Sequence, residues 1–313
     1  MKRSVLLAAL ATLMVATTAT AARRSTGAPS REQAKIELGR RLFYDADLSR
    51  DGTMACATCH EQRHAFADGN RTHPGVTDEP GRRNVPGLAN VGRFTRLTWA
   101  DPRQTSLAKQ VAVPVFGTHP VEMGMQGMAA EIPGRLGRDP CYVQMFAAAF
   151  PQKARAITFA TVTEALASFE RTLVSRDAPF DHGQLPGNAR AGYMLFRRHC
   201  ASCHSGADFT DMAYHRLGPV GPTVADEGLF EVTHRLNDRQ RFRTPSLRNV
   251  AVTAPYWHDG SAPTIAAAIS RHHPTIPAQD IPLVETFLRS LTDEMFLTNP
   301  NFALPRSACG KAL

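Results

Sequence analysis

The pattern C-x-x-C-H occurs twice in this chain, as Cys56-Ala57-Thr58-Cys59-His60 and as Cys200-Ala201-Ser202-Cys203-His204. Two thiols three residues apart lie on one turn and can reach two carbons on the rim of one flat macrocycle. The adjacent histidine then falls beneath the ring centre. This is the attachment signature of c-type haem, with thioethers from Cys56, Cys59, Cys200 and Cys203 and with His60 and His204 as proximal iron ligands. A zinc site made from the four cysteines would leave both histidines unexplained, and so would a redox dithiol.

The similarity between the two halves extends well beyond these motifs. G-x-x-L-F precedes each, at Gly39–Phe43 and Gly192–Phe196, and F-x-D follows each, at Phe66–Asp68 and Phe209–Asp211. Pro86-Gly-Leu-Ala-Asn-Val91 then matches Pro245-Ser-Leu-Arg-Asn-Val250. Trp99 and Trp257 come next, each followed by a short amphipathic segment beginning at Ser106 or Thr264, both suitable N-caps. Apolar residues recur at helical spacing over Arg31–Phe43, Asp139–Phe150, Thr158–Ser175, Asn188–His199, Thr264–His272 and Ile281–Leu291. No strand-like alternation of any length is present, and most of the 22 Pro and 22 Gly fall between these segments. The expected fold is all-α: two tandem cytochrome-c-like domains with long loops, each holding one covalent haem. The N-terminal domain spans 23–182 and the C-terminal domain 183–313, with a Pro/Gly-rich linker near Ala178–Gly187.

Residues 1–22 read as a signal peptide: Lys2 and Arg3, an apolar run from Val5, then Ala19-Thr-Ala21 as a small-x-small cleavage site. No later run is long enough for a membrane span. The expected location is therefore periplasmic, where disulfides are allowed. Cys141 and Cys309 either pair or remain free thiols; their spacing does not decide. The net charge of +8 comes from scattered basic residues without a run of five, so nucleic acid is not an expected partner.

The repeat is unequal at one place. Eight residues beyond Ser106 stands Pro114; eight beyond Thr264 stands His272. Proline offers iron no donor, whereas histidine does. If this segment carries a sixth ligand, the first haem is five-coordinate and open, and the second is closed by His204 and His272. The alternative is that His272, beside His273, is a solvated surface residue. An open ferric haem meeting peroxide needs a group that carries a proton from the inner to the outer oxygen, and a second group that orients the peroxide. Glu122 and Gln110 are the candidates.

Taken together, these residues resemble the bacterial di-haem cytochrome c peroxidase/MauG superfamily over nearly all of the chain after the leader. The matching stretches include Leu38–Asp45, Cys56–His60, Arg83-Asn84-Val-Pro, Trp99, Pro120-Val-Glu122-Met-Gly, Arg243–Val250 and Pro255-Tyr-Trp-His258-Asp-Gly. Val115–Glu122, Gly228–Thr233 and Leu291–Thr298 look most like the MbnH-type, methanobactin-associated branch, which is linked to copper-binding partner proteins. The resemblance implies that Gln110, Pro114 and Glu122 lie on the distal side of the high-spin haem and that Trp99 lies between the haems as an electron relay. It also implies one calcium ion, held by the Asn84 side chain and the carbonyls of Thr253 and Pro255; oxygen ligands suit that hard cation. There are two departures. His272 stands where relatives carry Met or Tyr. Arg198 stands where MauG carries a surface tryptophan.

The function implied is a di-haem peroxidase-like oxidoreductase. Hydrogen peroxide forms a high-valent di-haem state that oxidises Trp or Tyr of a periplasmic partner, such as a copper-binding MbnP-like protein. An ordinary cytochrome c peroxidase, drawing electrons from a small cytochrome c or cupredoxin, is the alternative. His64 and His73 are then candidates for closing the first haem. A plain di-haem electron-transfer protein is the third reading, against which Pro114 argues.

Overall fold

The computed structural model describes residues 30–154, 156–218, 225–272 and 275–312. The leader assigned to residues 1–22, and His273, lie outside the described residues. Twelve α-helices are described: α1 (Arg31–Phe43), α2 (Cys56–Cys59), α3 (Leu107–Gln110), α4 (Ala112–Phe116), α5 (Ile132–Leu136), α6 (Pro140–Ala149), α7 (Phe159–Glu170), α8 (Gly187–His199), α9 (Phe230–Thr233), α10 (Ile265–His272), α11 (Ile281–Arg289) and α12 (Glu294–Thr298). The strands among the described residues are two antiparallel two-residue pairs, Tyr214–His215 with Phe242–Arg243 and Ser307–Ala308 with Lys311–Ala312.

Local chemistry sets the helix ends. Ser30 caps α1 by accepting the Gln33 amide, and Thr158 and Thr161 form a capping box at α7. Thr264 accepts the Ala267 amide at the start of α10. Ser106, expected to do the same for α3, makes no side-chain cap; its backbone carbonyl accepts the Gln110 amide. The α7 segment, expected to reach Ser175, stops at Glu170. Beyond it the chain turns to exchange hydrogen bonds with Asn90, from Leu173 and Ser175, so tertiary pairing overrides helix propensity there.

Two crossings organise the packing: α1 lies on α7, and α8 lies on α11. In each, the glycine of the G-x-x-L-F repeat sits at the crossing. A Cβ on Gly39 would lie 1.9 Å from the Ala165 carbonyl oxygen, and one on Gly192 would lie 1.9 Å from that of Leu283. Around the first crossing, Leu38, Leu42, Phe43, Phe66, Phe146, Leu166 and Phe169 form one apolar core. Around the second, Phe196, Phe209, Ile265, Ile269, Val284 and Phe287 form another.

The C-terminal segment does not stay with the second core. Phe296 and Phe302 pack in the first, with Phe66 at 5.8 and 6.4 Å between ring centroids. Tyr44 donates to the Phe302 carbonyl, and Arg40 to that of Ala303. Cys141 and Cys309 form a disulfide that ties the same segment to α6, which closes the alternative the sequence left open.

Gly39→Ala and Gly192→Ala should each destabilise the protein by about 1–3 kcal/mol, the usual cost of overpacking. Gly134, inside α5 with open space where a Cβ would go, is the control. Gly134→Ala should be neutral or stabilising by about 0.4–1 kcal/mol. Denaturant melts followed by circular dichroism measure all three.

Candidate functional site: two haem-binding motifs and a cavity at the second

Each C-x-x-C-H motif presents its histidine in the same way. The His60 backbone amide donates to the Cys56 carbonyl at 2.9 Å, and that of His204 to Cys200 at 2.9 Å. The ring Nδ1 of His60 lies 2.6 Å from the Phe66 carbonyl oxygen, and that of His204 lies 3.0 Å from Phe209. An Nδ1–H donated to a carbonyl fixes the tautomer that leaves Nε2 as the metal-binding atom. Phe66 and Phe209 adopt φ values of +60° and +52°, left-handed backbone that aims these carbonyls at the rings. Burial pushes the His60 pKa down, keeping its imidazole neutral. Cys56, Cys59, Cys200 and Cys203 are unpaired thiols, unlike Cys141 and Cys309. The thiols are half-buried, and burial pushes Cys56 and Cys59 up to about 12 and Cys200 up to about 11.

The aspartate of each F-x-D repeat carries a second interaction that the sequence did not reveal. Asp68, wholly buried, holds His73 Nδ1 at 2.8 Å; Asp211 holds His215 Nε2 at 2.7 Å. The recurrence of F-x-D was the only signal of these pairs. His64, for its part, is tied through Nδ1 to the Val252 carbonyl of the second half.

Glu122 is set by its backbone neighbours. The Met123 amide donates to the Pro114 carbonyl, and Met125 to Val115, which lays this strip along α4. The Val76 amide donates to the Glu122 carbonyl at 2.8 Å, and a Cβ on Gly75 would lie 1.7 Å from the Val121 carbonyl oxygen. The strip is thus clamped on two sides. The Glu122 carboxylate lies close enough to Cys59 to raise its pKa, and burial raises that of Glu122 itself. Gln110 ends α3, just before α4 and Pro114. Glu170, at the end of α7, is a buried acid pushed up to about 8, close enough to Cys56 to raise its pKa further.

A cavity of about 680 Å³ occupies the second half and the junction. That volume is within the ~300–1,000 Å³ range of cofactor sites. Cys200, Cys203, His204 and His272 line it, together with Trp99, Asn84, Thr253 and Pro255. Gln110, Pro114 and Glu122 are not among its lining residues. The His204 and His272 ring centroids are 6.2 Å apart. Two metal–nitrogen bonds of about 2.0 Å leave the rest of such a span to the half-widths of two imidazoles. Trp99 is buried, donates Nε1–H to the Asn84 carbonyl at 2.7 Å and accepts the Arg243 amide at 2.7 Å. It is therefore bonded to both halves. Asn84 donates Nδ2 to the carbonyls of Asn70 and Arg71, and its own amide to that of His258.

The family profile described as di-haem cytochrome c peroxidase matches residues 33–189. The chain belongs to the di-haem cytochrome c peroxidase/MauG family. It is 34% identical over 275 residues to cytochrome c peroxidase Ccp of Escherichia coli, an alignment covering 82% of this chain but only 58% of that protein. It is also 34% identical over 246 residues to the methylamine utilization protein MauG of Methylorubrum extorquens, covering 76% of this chain and 68% of that one. Among solved structures it is similar to a MauG-like protein associated with microbial copper homeostasis, with a TM-score of 0.83, 34% identity, and coverage of 87% and 93% of the two chains.

Cys56→Ala and Cys200→Ala should each remove one of two haems. A pyridine haemochrome assay on the unmodified protein should give two per chain; one or none would refute the reading of both motifs.

Proposed function

We propose that this protein is a periplasmic MauG/MbnH-like oxidase: it takes hydrogen peroxide at the first haem and oxidises a Trp or Tyr of a partner protein by way of the second. The observation that carries the reading is the inequality of the repeat. Pro114 stands on the first side, whereas on the second His272 faces His204 at a spacing suited to one metal ion. The likeness to a MauG-like protein linked to copper homeostasis supports the same reading and suggests a copper-binding, MbnP-like partner.

When bound, haem supplies the iron that takes up peroxide and holds oxidising equivalents. The chain's own residues do the rest. Glu122 accepts the proton of the inner peroxide oxygen and returns it to the outer one, while the Gln110 amide orients the molecule. Peroxide takes two electrons and two protons and leaves as two waters. Trp99, hydrogen-bonded to both halves, is the electron bridge. Asn84, Thr253 and Pro255, which line the same cavity, would hold a calcium ion through oxygen atoms. Imidazole is a stronger donor to ferric iron than thioether. A His204/His272 pair would therefore hold a second haem at a lower potential than a His/Met site would. The ordinary cytochrome c peroxidase is the second reading, favoured by the Escherichia coli relative. Partner-protein mass spectrometry against turnover with reduced cytochrome c separates the two.

Glu122→Gln should leave both haem spectra intact and slow the peroxide step by about 10²–10⁴. The working form of Glu122 is the carboxylate, and burial raises its pKa. The rate should therefore fall with decreasing pH at a higher pH than an ordinary carboxylate would give, and that limb should vanish in the variant. Stopped-flow mixing across pH checks both; an unchanged rate makes Glu122 scaffold.

His272→Ala should abolish the low-spin signal in magnetic spectroscopy and leave the high-spin one. A low-spin signal that survives this change and is lost in His273→Ala would move the ligand by one residue.

A further inference from the structure

Arginine burial in this chain follows a rule with one exception. Among the described residues three arginines are buried: Arg41, Arg243 and Arg248. Arg41 pairs with Asp139 at 2.5 Å and Arg248 with Asp181 at 2.7 Å. Arg243, 3% exposed, has no carboxylate partner among the described residues. Its side chain donates to the carbonyls of Thr98 and Thr244 and to the Met212 sulfur, all uncharged. No acidic side chain elsewhere can supply the missing charge, because every Asp and Glu of the sequence lies among the described residues. A buried cation without an anion is costly even after relaxation.

A second donor poses the same question. Trp257 Nε1 is buried and has no hydrogen-bond partner, unlike Nε1 of its repeat counterpart Trp99. Trp257 also holds φ at +76°, an unfavourable region for a bulky residue, and packs edge-on against His272 at 5.8 Å between centroids. Leaving such a buried donor unmet is destabilising. Arg243 and Trp257 line the same cavity, the one that contains Cys200, Cys203, His204 and His272.

We propose that Arg243 and Trp257 are the anion-recognition pole of the second cofactor site, receiving the carboxylates of haem, and that Arg243 thereby holds up the reduction potential of that haem. The inference rests on the reading of this cavity as a haem site. A haem attached through its vinyl groups has two carboxylates at the rim away from those bonds. They supply negative charge for a guanidinium and an acceptor for an indole N–H. Charge-assisted hydrogen bonds of this kind are the strong ones. A fixed cation beside the ring disfavours the more positive ferric state, so removing it makes reduction harder. Arg243 also donates its backbone amide to Trp99, so the same residue joins the proposed bridge to the second cofactor.

The test is a spectroelectrochemical titration of the holoprotein, with the haemochrome count taken on every variant. Arg243→Met should lower the equilibrium constant for reducing the second haem by at least about tenfold, ~59 mV for a one-electron couple. Arg243→Lys, which keeps the charge, should recover most of that loss. Trp257→Phe should give a smaller shift in the same direction with the low-spin signal intact. A wild-type potential in Arg243→Met with two haems bound overturns the proposal. If Arg243→Met does not accumulate as holoprotein, an Arg243→Lys potential near wild type together with a lowered one in Trp257→Phe supports the proposal, and an unshifted Trp257→Phe overturns it. Two haems per chain with unshifted potentials would leave the haem reading standing while this assignment fails.

Discussion

Both halves of the molecule depend on helices that approach until backbone touches backbone. At Gly39 and Gly192 there is no space for even a methyl group, and the carbonyls of Ala165 and Leu283 occupy the place where a Cβ would be. That contact fixes α1 on α7 and α8 on α11. The chain reaches a C-x-x-C-H turn directly from α8 and through a short loop from α1, and in each the histidine is then held by a carbonyl from the following loop. A flat cofactor offers a protein two faces and an edge. In the proposed reading the crossing sets the frame, the cysteines would take the edge, and the histidine would take one face. What would occupy the other face is the remaining freedom, and there the repeat parts: Pro114 stands in one half and His272 in the other.

Much of this was legible in the sequence because repetition separates structure from chemistry. Positions alike in the two halves proved to be frame: the crossing glycines, the Phe carbonyls that receive imidazole, and the left-handed Asn90 and Asn249. Helix spans were legible where capping was local, as at Ser30 and Thr158. They failed where distant partners intervened, as beyond Glu170. The aspartate–histidine pairs, Asp68 with His73 and Asp211 with His215, were not legible, because the histidines sit at different offsets and adopt different ring nitrogens. The disulfide was undecidable for the same reason: Cys141 and Cys309 are 168 residues apart, and only the fold sets their Cα atoms 5.7 Å from each other. The lack of an acid for Arg243 is likewise a property of three dimensions.

The region around Trp99 gathers these threads. Its ring nitrogen is bonded to Asn84, its carbonyl to Arg243, and Asn84 in turn to the backbone of both halves. The Arg243 guanidinium donates to the carbonyl of Thr98, the residue before Trp99. The hydrogen bonds that fix Trp99 thus come from each half in turn.

The return of the C-terminal segment joins the two halves into one unit. Phe296 and Phe302 complete the aromatic cluster around Phe66, and Gln62 donates to the carbonyls of Phe296 and Asn299. The first half, although contiguous in sequence through its helices, has part of its interior supplied by α12 and the residues after it. The two halves therefore cannot be cut apart at the linker without taking from the first core residues that fill it. They form a clasp, and the strip of chain that fastens it belongs by sequence to one half and by packing to the other.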